Sequence, residues 1–572
     1  MKRKLSLIAV FVISLIYIQF RFAYTDFQKG EPLKITTWDA FGYYMYLPGT
    51  IIYNDITELK WVPKIEEDYH LIGDQLYQAN KVDNGNYVFK YLGGVALMQT
   101  PFFLIGHAIA NFSDYKADGF SAPYQYSIAF GAITYFILAL FLLRNILLRY
   151  YSDRVTTITL LLLALATNLI QYIAIDSAQS HAFIFPLYVL IIYCTIKWHD
   201  APKLKWAALI GLIIGLATIS RPTEAIMLFI PLLWETQTKE SKKLKWQKVK
   251  QYRNHVWIVV LFGIIGVLPQ LIYWKITSGS IIYDVGSKWF FLNPWFRVLF
   301  GFENGWFIYT PITLLFVIGF FFMKNMVFKK SVIIFCLLNI WIIIAWSDYN
   351  YGATFSTRAM VQSYPVFALA FASFISRINQ LKWKYLFQLI GIYLIAVNFF
   401  QIGQYNTNVI QYKGMSALYY SRIYLDSDPT PLDMSLLDTD EIIDDEKTYK
   451  SRLLSSSDKR QKLNITPTRA AVISETNIGN NKKGWIKIEA ELKASDGFNY
   501  ANLHGKIISG KEVKEIPFRV RNPICKPNHY NKYEFYLKIP DAEGETTAIF
   551  LITSGVEFKT VLKSYSVTYL EK

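Results

Sequence analysis

Asp39 stands in the run Thr36-Thr37-Trp38-Asp39-Ala40-Phe41-Gly42-Tyr43-Tyr44, an acid enclosed by aromatic side chains. A carboxylate partly desolvated by such neighbours can take a proton from a hydroxyl group; the plainer role is one acid among several in a solvated loop. Arg221, in Ser220-Arg221-Pro222-Thr223-Glu224, and Arg358, after Tyr351-Gly352-Ala353-Thr354-Phe355-Ser356-Thr357, each stand where apolar sequence begins. A guanidinium held at a membrane boundary can grip a phosphate with two N–H groups. For Arg221 the competing roles are snorkelling and a pair with Glu224. In Asp176-Ser177-Ala178-Gln179-Ser180-His181, the imidazole can donate to a phosphate or sugar oxygen, or bond locally to Asp176. Lys288 and the run Gly301-Phe302-Glu303-Asn304-Gly305-Trp306 bracket an aromatic stretch, suited to stacking on rings or to anchoring at a bilayer interface.

The elements that must position these groups are set by composition. Of 572 residues, 53% are hydrophobic and only 18% charged, with a mean hydropathy of +0.23. That pattern excludes a disordered or ordinary cytosolic chain and predicts a polytopic α-helical membrane protein. Met1 to Lys4 precedes an apolar run to Phe20 with no small-residue cleavage site, read as a retained first span. Further stretches of spanning length cover about 124–143, 155–173, 181–197, 206–220, 223–234, 256–275, 306–323, 331–346, 359–376 and 385–403, for about eleven spans in all. The segments 2–4, 144–154, 197–205, 236–254, 324–330 and 377–384 are rich in Lys and Arg and are expected on the cytoplasmic side. The segments that alternate with them, 23–123, 174–180, 221–222, 276–305, 347–357 and the tail after 404, then lie outside. The net charge of +16 is thus a membrane-orientation signature rather than a nucleic-acid footprint. The stretch 91–110 would break this alternation if it spanned, so it is expected to be an outer interfacial or re-entrant helix.

The chain after the last span divides again. Residues 404–462 read as an outer linker or strap, with 426–462 polar and acid-rich, and 463–572 as a small antiparallel β-sandwich of short alternating segments separated by turns. The three cysteines build no disulfide framework. There is no Walker A run, no G-x-G-x-x-G before a helix, no H-E-x-x-H and no C-x-x-C. Cytoplasmic loops are short, so a substrate carried on lipid is favoured over a cytosolic nucleotide. A flippase for lipid-linked sugars would call for ionisable residues deep in the spans and repeated halves. A polysaccharide polymerase or ligase would place its chemistry in a late outer loop.

Taken together, Trp38-Asp39 with Tyr43-Tyr44, Lys90-Tyr91-Leu92-Gly93 through Pro101-Phe102-Phe103, Ser180-His181, Ser220 to Glu224, Gly305-Trp306-Phe307 with Pro311, and Gly352 to Arg358 with Pro365 carry a resemblance. Over about residues 1–403 the chain resembles the GT-C superfamily of membrane glycosyltransferases. The branch it resembles is bacterial, protein-mannosyltransferase-like and lipid A aminoarabinose-transferase-like. The resemblance implies a transmembrane catalytic domain in a bacterial inner membrane, with the amino terminus cytoplasmic and the tail outside. It implies transfer of a sugar from a polyprenyl-phosphate donor to an acceptor hydroxyl on a glycan, lipid or protein, with inversion. Asp39 is then the general base. Arg221, Arg358, Lys288 and His181 hold the donor phosphate, and Trp38, Tyr43, Tyr44, Asp176, Glu224, Glu303 and Asn304 line the pocket. Many relatives carry an acidic pair in the first loop, whereas Ala40 follows Asp39 here. A hard divalent ion wants several oxygen ligands, so no cofactor and metal-independent chemistry are expected.

Overall fold

The computed structural model describes residues 4–24, 33–73 and 75–572. Lys2, Arg3 and part of the first outer segment, 25–32, lie outside the described residues. The chain forms two compact units that divide between Phe399 and Phe400.

The first unit is helical, and this is a multi-pass membrane protein. Among the described residues, six helices are long and apolar enough to cross a bilayer: Leu5–Ala23, Ala122–Tyr150, Ser180–Asp200, Arg253–Ser278, Arg358–Ile378 and Lys384–Asn406. Leu204–Thr218, Pro222–Leu233 and Pro311–Phe322 are shorter apolar helices. Helix ends are satisfied from neighbouring elements. Asp153 accepts the backbone N–H groups of Leu5 and Ser6, filling orphan donors at the start of Leu5–Ala23. Where Leu204–Thr218 crosses Arg253–Ser278 the contact is glycine on glycine. A Cβ at Gly211 would stand 2.2 Å from the Val259 carbonyl oxygen, and one at Gly215 would stand 2.4 Å from that of Gly263. Small residues permit such close backbone approach between membrane helices.

Three expected spans are not continuous α-helices. Within 155–173, the helix Asp153–Leu165 stops and Gln171–Ile175 winds as a π-turn. The buried polar side chains of Thr167, Asn168 and Gln171 lie at this break. The stretch 223–234 is a 3₁₀ segment, Pro222–Leu228, followed by one short helical piece, Phe229–Leu233. The stretch 306–323 is a chain of turns, Trp306–Tyr309, Pro311–Thr313, Leu314–Ile318 and Gly319–Phe322, broken where Pro311 lacks an N–H. Such irregular backbone at membrane depth survives only where protein surrounds it, and all three breaks contribute buried residues. The stretch 91–110 forms a helix, Gly94–Asn111, that runs through Pro101 without interruption. Before it stand the short helix Asp39–Tyr44 and the hairpin β1 (Ala79–Lys81) and β2 (Tyr87–Phe89).

The second unit carries two antiparallel sheets. One has the order β5-β10-β7-β8, from Ala471–Asn480, Glu545–Ser554, Ala501–Ser509 and Glu512–Arg519. The other has the order β3-β11-β6-β9, from Lys450–Ser457, Phe558–Glu571, Gly484–Lys493 and Tyr530–Lys538, with β4 (Gln461–Ile465) also on β11. Alternating side chains of both sheets meet in one core, where Phe518 and Phe535 stack at 3.9 Å between centroids. The linker reading of 426–462 is corrected at its end: Lys450–Ser457 is a strand on β11. Its sequence, Lys-Ser-Arg-Leu-Leu-Ser-Ser-Ser, lacks a clean alternation because it is an edge strand exposed along most of its length. The acidic run before it is strapped to the sheets. Asp438 accepts from the Arg519 backbone and guanidinium, and Glu446 accepts from Tyr536.

Candidate active site

Asp39 opens the short helix Asp39–Tyr44, and the residue before it is strained. Trp38 has φ 51° and ψ −123°, a conformation that a bulky L-residue adopts only when its surroundings force it. The surroundings are identifiable. The Trp38 N–H donates to the Leu71 carbonyl at 3.0 Å, its carbonyl accepts from Gln78 Nε2 at 3.0 Å, and its ring lies over Gly73. Gly73 has φ +68°, and a Cβ there would meet the indole at 2.7 Å. Trp38 still leaves 57% of its surface open beside the acid.

The Asp39 carboxylate has a partner on each oxygen. Oδ1 accepts from the Tyr91 hydroxyl at 2.6 Å and from the Tyr77 hydroxyl at 2.9 Å. Oδ2 accepts from Arg358 Nη2 at 2.7 Å, and Arg358 Nη1 donates to Gln179 Oε1 at 3.1 Å. The pair is largely sheltered: the Arg358 side chain is 13% exposed and that of Asp39 24%. Burial works to raise the Asp39 carboxyl, but the Arg358 charge and the hydrogen bonds from Tyr91, Tyr77 and Arg358 outweigh it and hold the group below its ordinary range. Burial and the Asp39 charge push the Tyr91 and Tyr77 phenols up, so both remain donors.

Tyr91 is placed by contacts on both sides. Gly42 leaves room for its ring, Tyr43 packs on it at 4.7 Å between centroids, and its carbonyl accepts from Tyr46 Oη at 2.8 Å. Two residues on, Gly93 N–H donates to Gln270 Oε1 at 2.8 Å, and Gly94 N–H donates to the Ile219 carbonyl at 2.9 Å. Arg358 is placed by the loop before it. Tyr172, from the π-turn, accepts the Phe355 N–H at 2.8 Å. Asn304 donates to the carbonyls of Tyr349 and Asn350, and Thr357 donates to those of Val298 and Asn304.

A second cluster adjoins the first. Glu224 accepts from Tyr188, from Gln362 at 2.8 Å and from Thr223 at 3.3 Å. Gln362 also meets His181 Nδ1 through its Oε1. Gln362 lies four residues after Arg358 on the 3₁₀ segment Arg358–Ser363, and His181 lies two after Gln179. The two clusters are therefore joined by the same two strands of chain. Arg221 rests over the Trp346 ring at 5.9 Å and lines a cleft with Glu224, Gln362, Trp289, Trp346 and Tyr351.

The structure thus brings Asp39, Arg358, Trp38 and Tyr43 into one neighbourhood, with Arg221, Glu224 and His181 beside it. Other expected pocket residues spend their polar groups on the frame. Tyr44 Oη donates to the Gly119 carbonyl at 2.5 Å, Glu303 pairs with Arg297 at 2.8 Å, and Asn304 holds the 347–357 loop. Asp176 bonds to Gln171 at 2.9 Å rather than to His181, and burial raises its carboxyl. The side chain of Lys288 is exposed, and its carbonyl accepts the Ser347 N–H. The sequence reading gave no role to Tyr77, Tyr91, Gln179 or Gln362. Tyr91, within a run noted for its resemblance, and Gln179, within the run from Asp176 to His181, were the two whose positions gave any sign. Among the described residues, no group of three or more His, Cys, Asp or Glu is arranged to hold a metal ion.

Residues 121–274 match the family described as dolichyl-phosphate-mannose-protein mannosyltransferase. The matched residues lie within the helical unit. The match takes in the helices that carry Gln179, His181, Arg221 and Glu224. No curated protein sequence matches the chain. Among solved structures, the chain is similar to the oligosaccharyltransferase AglB of the archaeon Archaeoglobus fulgidus in complex with an inhibitory peptide and a dolichol-phosphate. The identity is 12%, over 74% of this chain and 58% of that one, with a TM-score of 0.45. The Archaeoglobus fulgidus oligosaccharyltransferase in complex with zinc and sulfate gives 13% identity over 75% and 57% of the two chains and a TM-score of 0.42. Its apo form gives 12%, 70%, 54% and 0.39. The chain spans a little over half the length of these proteins.

Proposed function

We propose that this protein transfers a sugar from a polyprenyl-phosphate donor to an acceptor hydroxyl at the outer face of the membrane. The observation that carries the reading is the Asp39–Arg358 pair, a sheltered carboxylate joined to a guanidinium from the far end of the helical unit. It supplies side by side a base for a hydroxyl and a cation for a phosphate. The family match over 121–274 supports the reaction class.

In this reaction the acceptor oxygen attacks the anomeric carbon as its proton passes to the Asp39 carboxylate. The bond from that carbon to the phosphate oxygen breaks, and its electron pair leaves with the polyprenyl phosphate. A single displacement inverts the anomeric centre. Negative charge gathers on the leaving phosphate, where Arg358 and Arg221 stabilise it more in the transition state than in the bound donor. Asp39 has phenols and a guanidinium as partners instead of a second acid, which supports transfer without a metal. The alternation of basic loops supports an outer-facing site in a bacterial inner membrane.

The test is sugar transfer from a panel of polyprenyl-phosphate sugars by the detergent-solubilised full chain, as wild type and Asp39→Asn, with and without chelator. Transfer by wild type, lost in the variant and indifferent to chelator, is expected. Full activity in Asp39→Asn removes the base, and loss on chelation removes the metal-free reaction.

A further inference from the structure

Both oxygens of Asp39 are engaged, and the two sides differ in kind. Oδ1 is held by Tyr77 and Tyr91, neutral donors from the same outer segment as the acid. Oδ2 is held by Arg358, a cation that begins a 3₁₀ segment some three hundred residues later. Arg358 is also the group best suited to a phosphate. It lies with Arg221 near Tyr351, on which both arginines act electrostatically, and a guanidinium fork matches phosphate geometry. Its remaining tie is a neutral one, to Gln179. A phosphate arriving there meets a guanidinium whose charge is already balanced by a carboxylate.

Resting on the donor reading above, we propose that Asp39 and the donor phosphate compete for Arg358. In the empty site Arg358 covers Oδ2. When the guanidinium turns to the phosphate, Oδ2 is uncovered and becomes the oxygen that takes the acceptor proton. Tyr77 and Tyr91 are positioning residues that keep Oδ1, and with it the plane of the carboxylate, in place through the exchange. The base is thereby exposed only when a donor is present, so an acceptor alone finds Asp39 covered.

The competition is read by binding, without turnover. Affinity for a polyprenyl phosphate is measured on full chain in detergent for wild type, Asp39→Asn, Arg358→Gln and the double variant, with polyprenol and inorganic phosphate as parallel ligands. Removing the competitor is expected to tighten lipid-phosphate binding by at least about fivefold, the upper end of the scale for an exposed ion pair. In the Arg358→Gln background the same Asp39→Asn change is expected to do nothing. Equal tightening in both backgrounds means that Asp39 acts only through its field, and this overturns the competition, as does no tightening in either. Binding that is equal for polyprenol, or absent in all four proteins, overturns the donor reading and this proposal with it. Inorganic phosphate that reproduces the whole cycle places the exchange on phosphate itself, without the lipid. Should Arg358→Gln fail to fold, Arg358→Lys replaces it. A lysine keeps the charge but not the fork, so the gain from Asp39→Asn must shrink. Tyr91→Phe is expected to leave lipid-phosphate affinity unchanged while moving the acid limb of kcat/KM to higher pH. Loss of affinity in that variant removes Tyr91 as a positioning residue.

Discussion

Gly42→Ala tests the site through a residue with no chemistry of its own. A Cβ at position 42 would stand 2.1 Å from Tyr91 Cδ2 and 2.6 Å from Cε2. Carbon atoms rest at about 3.5–4.0 Å, so the ring must retreat by roughly 1.4 Å or the helix Asp39–Tyr44 must move by as much. Either way the 2.6 Å bond from Tyr91 to Asp39 stretches towards about 4 Å and is lost. Overpacking of this kind costs about 1–3 kcal/mol of stability. A shift of about 1 Å in a catalytic group costs on the order of 10²-fold in rate. The assay is initial transfer rate against pH beside a thermal melt. A double-mutant cycle separates the two effects: in a Tyr91→Ala background there is no ring to crowd, so adding Gly42→Ala should lower the melt no further while the rate stays low. If Gly42→Ala keeps the wild-type rate and pH profile, Tyr91 does not position Asp39 and the reasoning fails.

Other outcomes follow from the same geometry. The Asp39 carboxyl is held below its ordinary value, so the rate falls only as acid approaches that lowered value. Tyr91→Phe removes a bond that favours the anion, raises the pKa and moves the acid limb upward, as a pH–rate series would record. The same pair contributes stability fully above the unfolded carboxyl pKa of about 3.9. That contribution is lost as pH falls through the folded value, and Asp39→Asn should flatten this part of the stability curve. At Gly94, a Cβ would meet Ser220 Oγ at 2.4 Å and Ser220 N at 2.6 Å. Gly94→Ala should therefore displace the turn that carries Arg221 and raise KM for the donor more than it lowers kcat. In the second unit Phe550 is fully buried, and Phe550→Ala should cost about 3–5 kcal/mol in the melting of the sandwich.

The sequence by itself determined the membrane class, because a bilayer imposes long apolar runs and a bias of basic loops that no folding detail can erase. It marked the β-rich tail through alternation and turn residues, and it marked Asp39 and Arg358 because charges beside apolar sequence are costly to keep. It did not reveal the edge strand Lys450–Ser457, whose exposure removes the alternation by which strands are read. Nor did it reveal that 155–173, 223–234 and 306–323 are interrupted or rewound as π or 3₁₀ segments, since hydropathy counts apolar residues and is blind to where a backbone is sheltered by other protein. The partners of Asp39 were hidden for a different reason. Tyr77, Tyr91 and Arg358 lie 38, 52 and 319 positions away, and one tyrosine among 40 carries no mark of which acid it will face. Only tertiary packing, through Gly42 beneath the Tyr91 ring and Tyr172 and Asn304 behind the Arg358 loop, decided which donors would share that carboxylate.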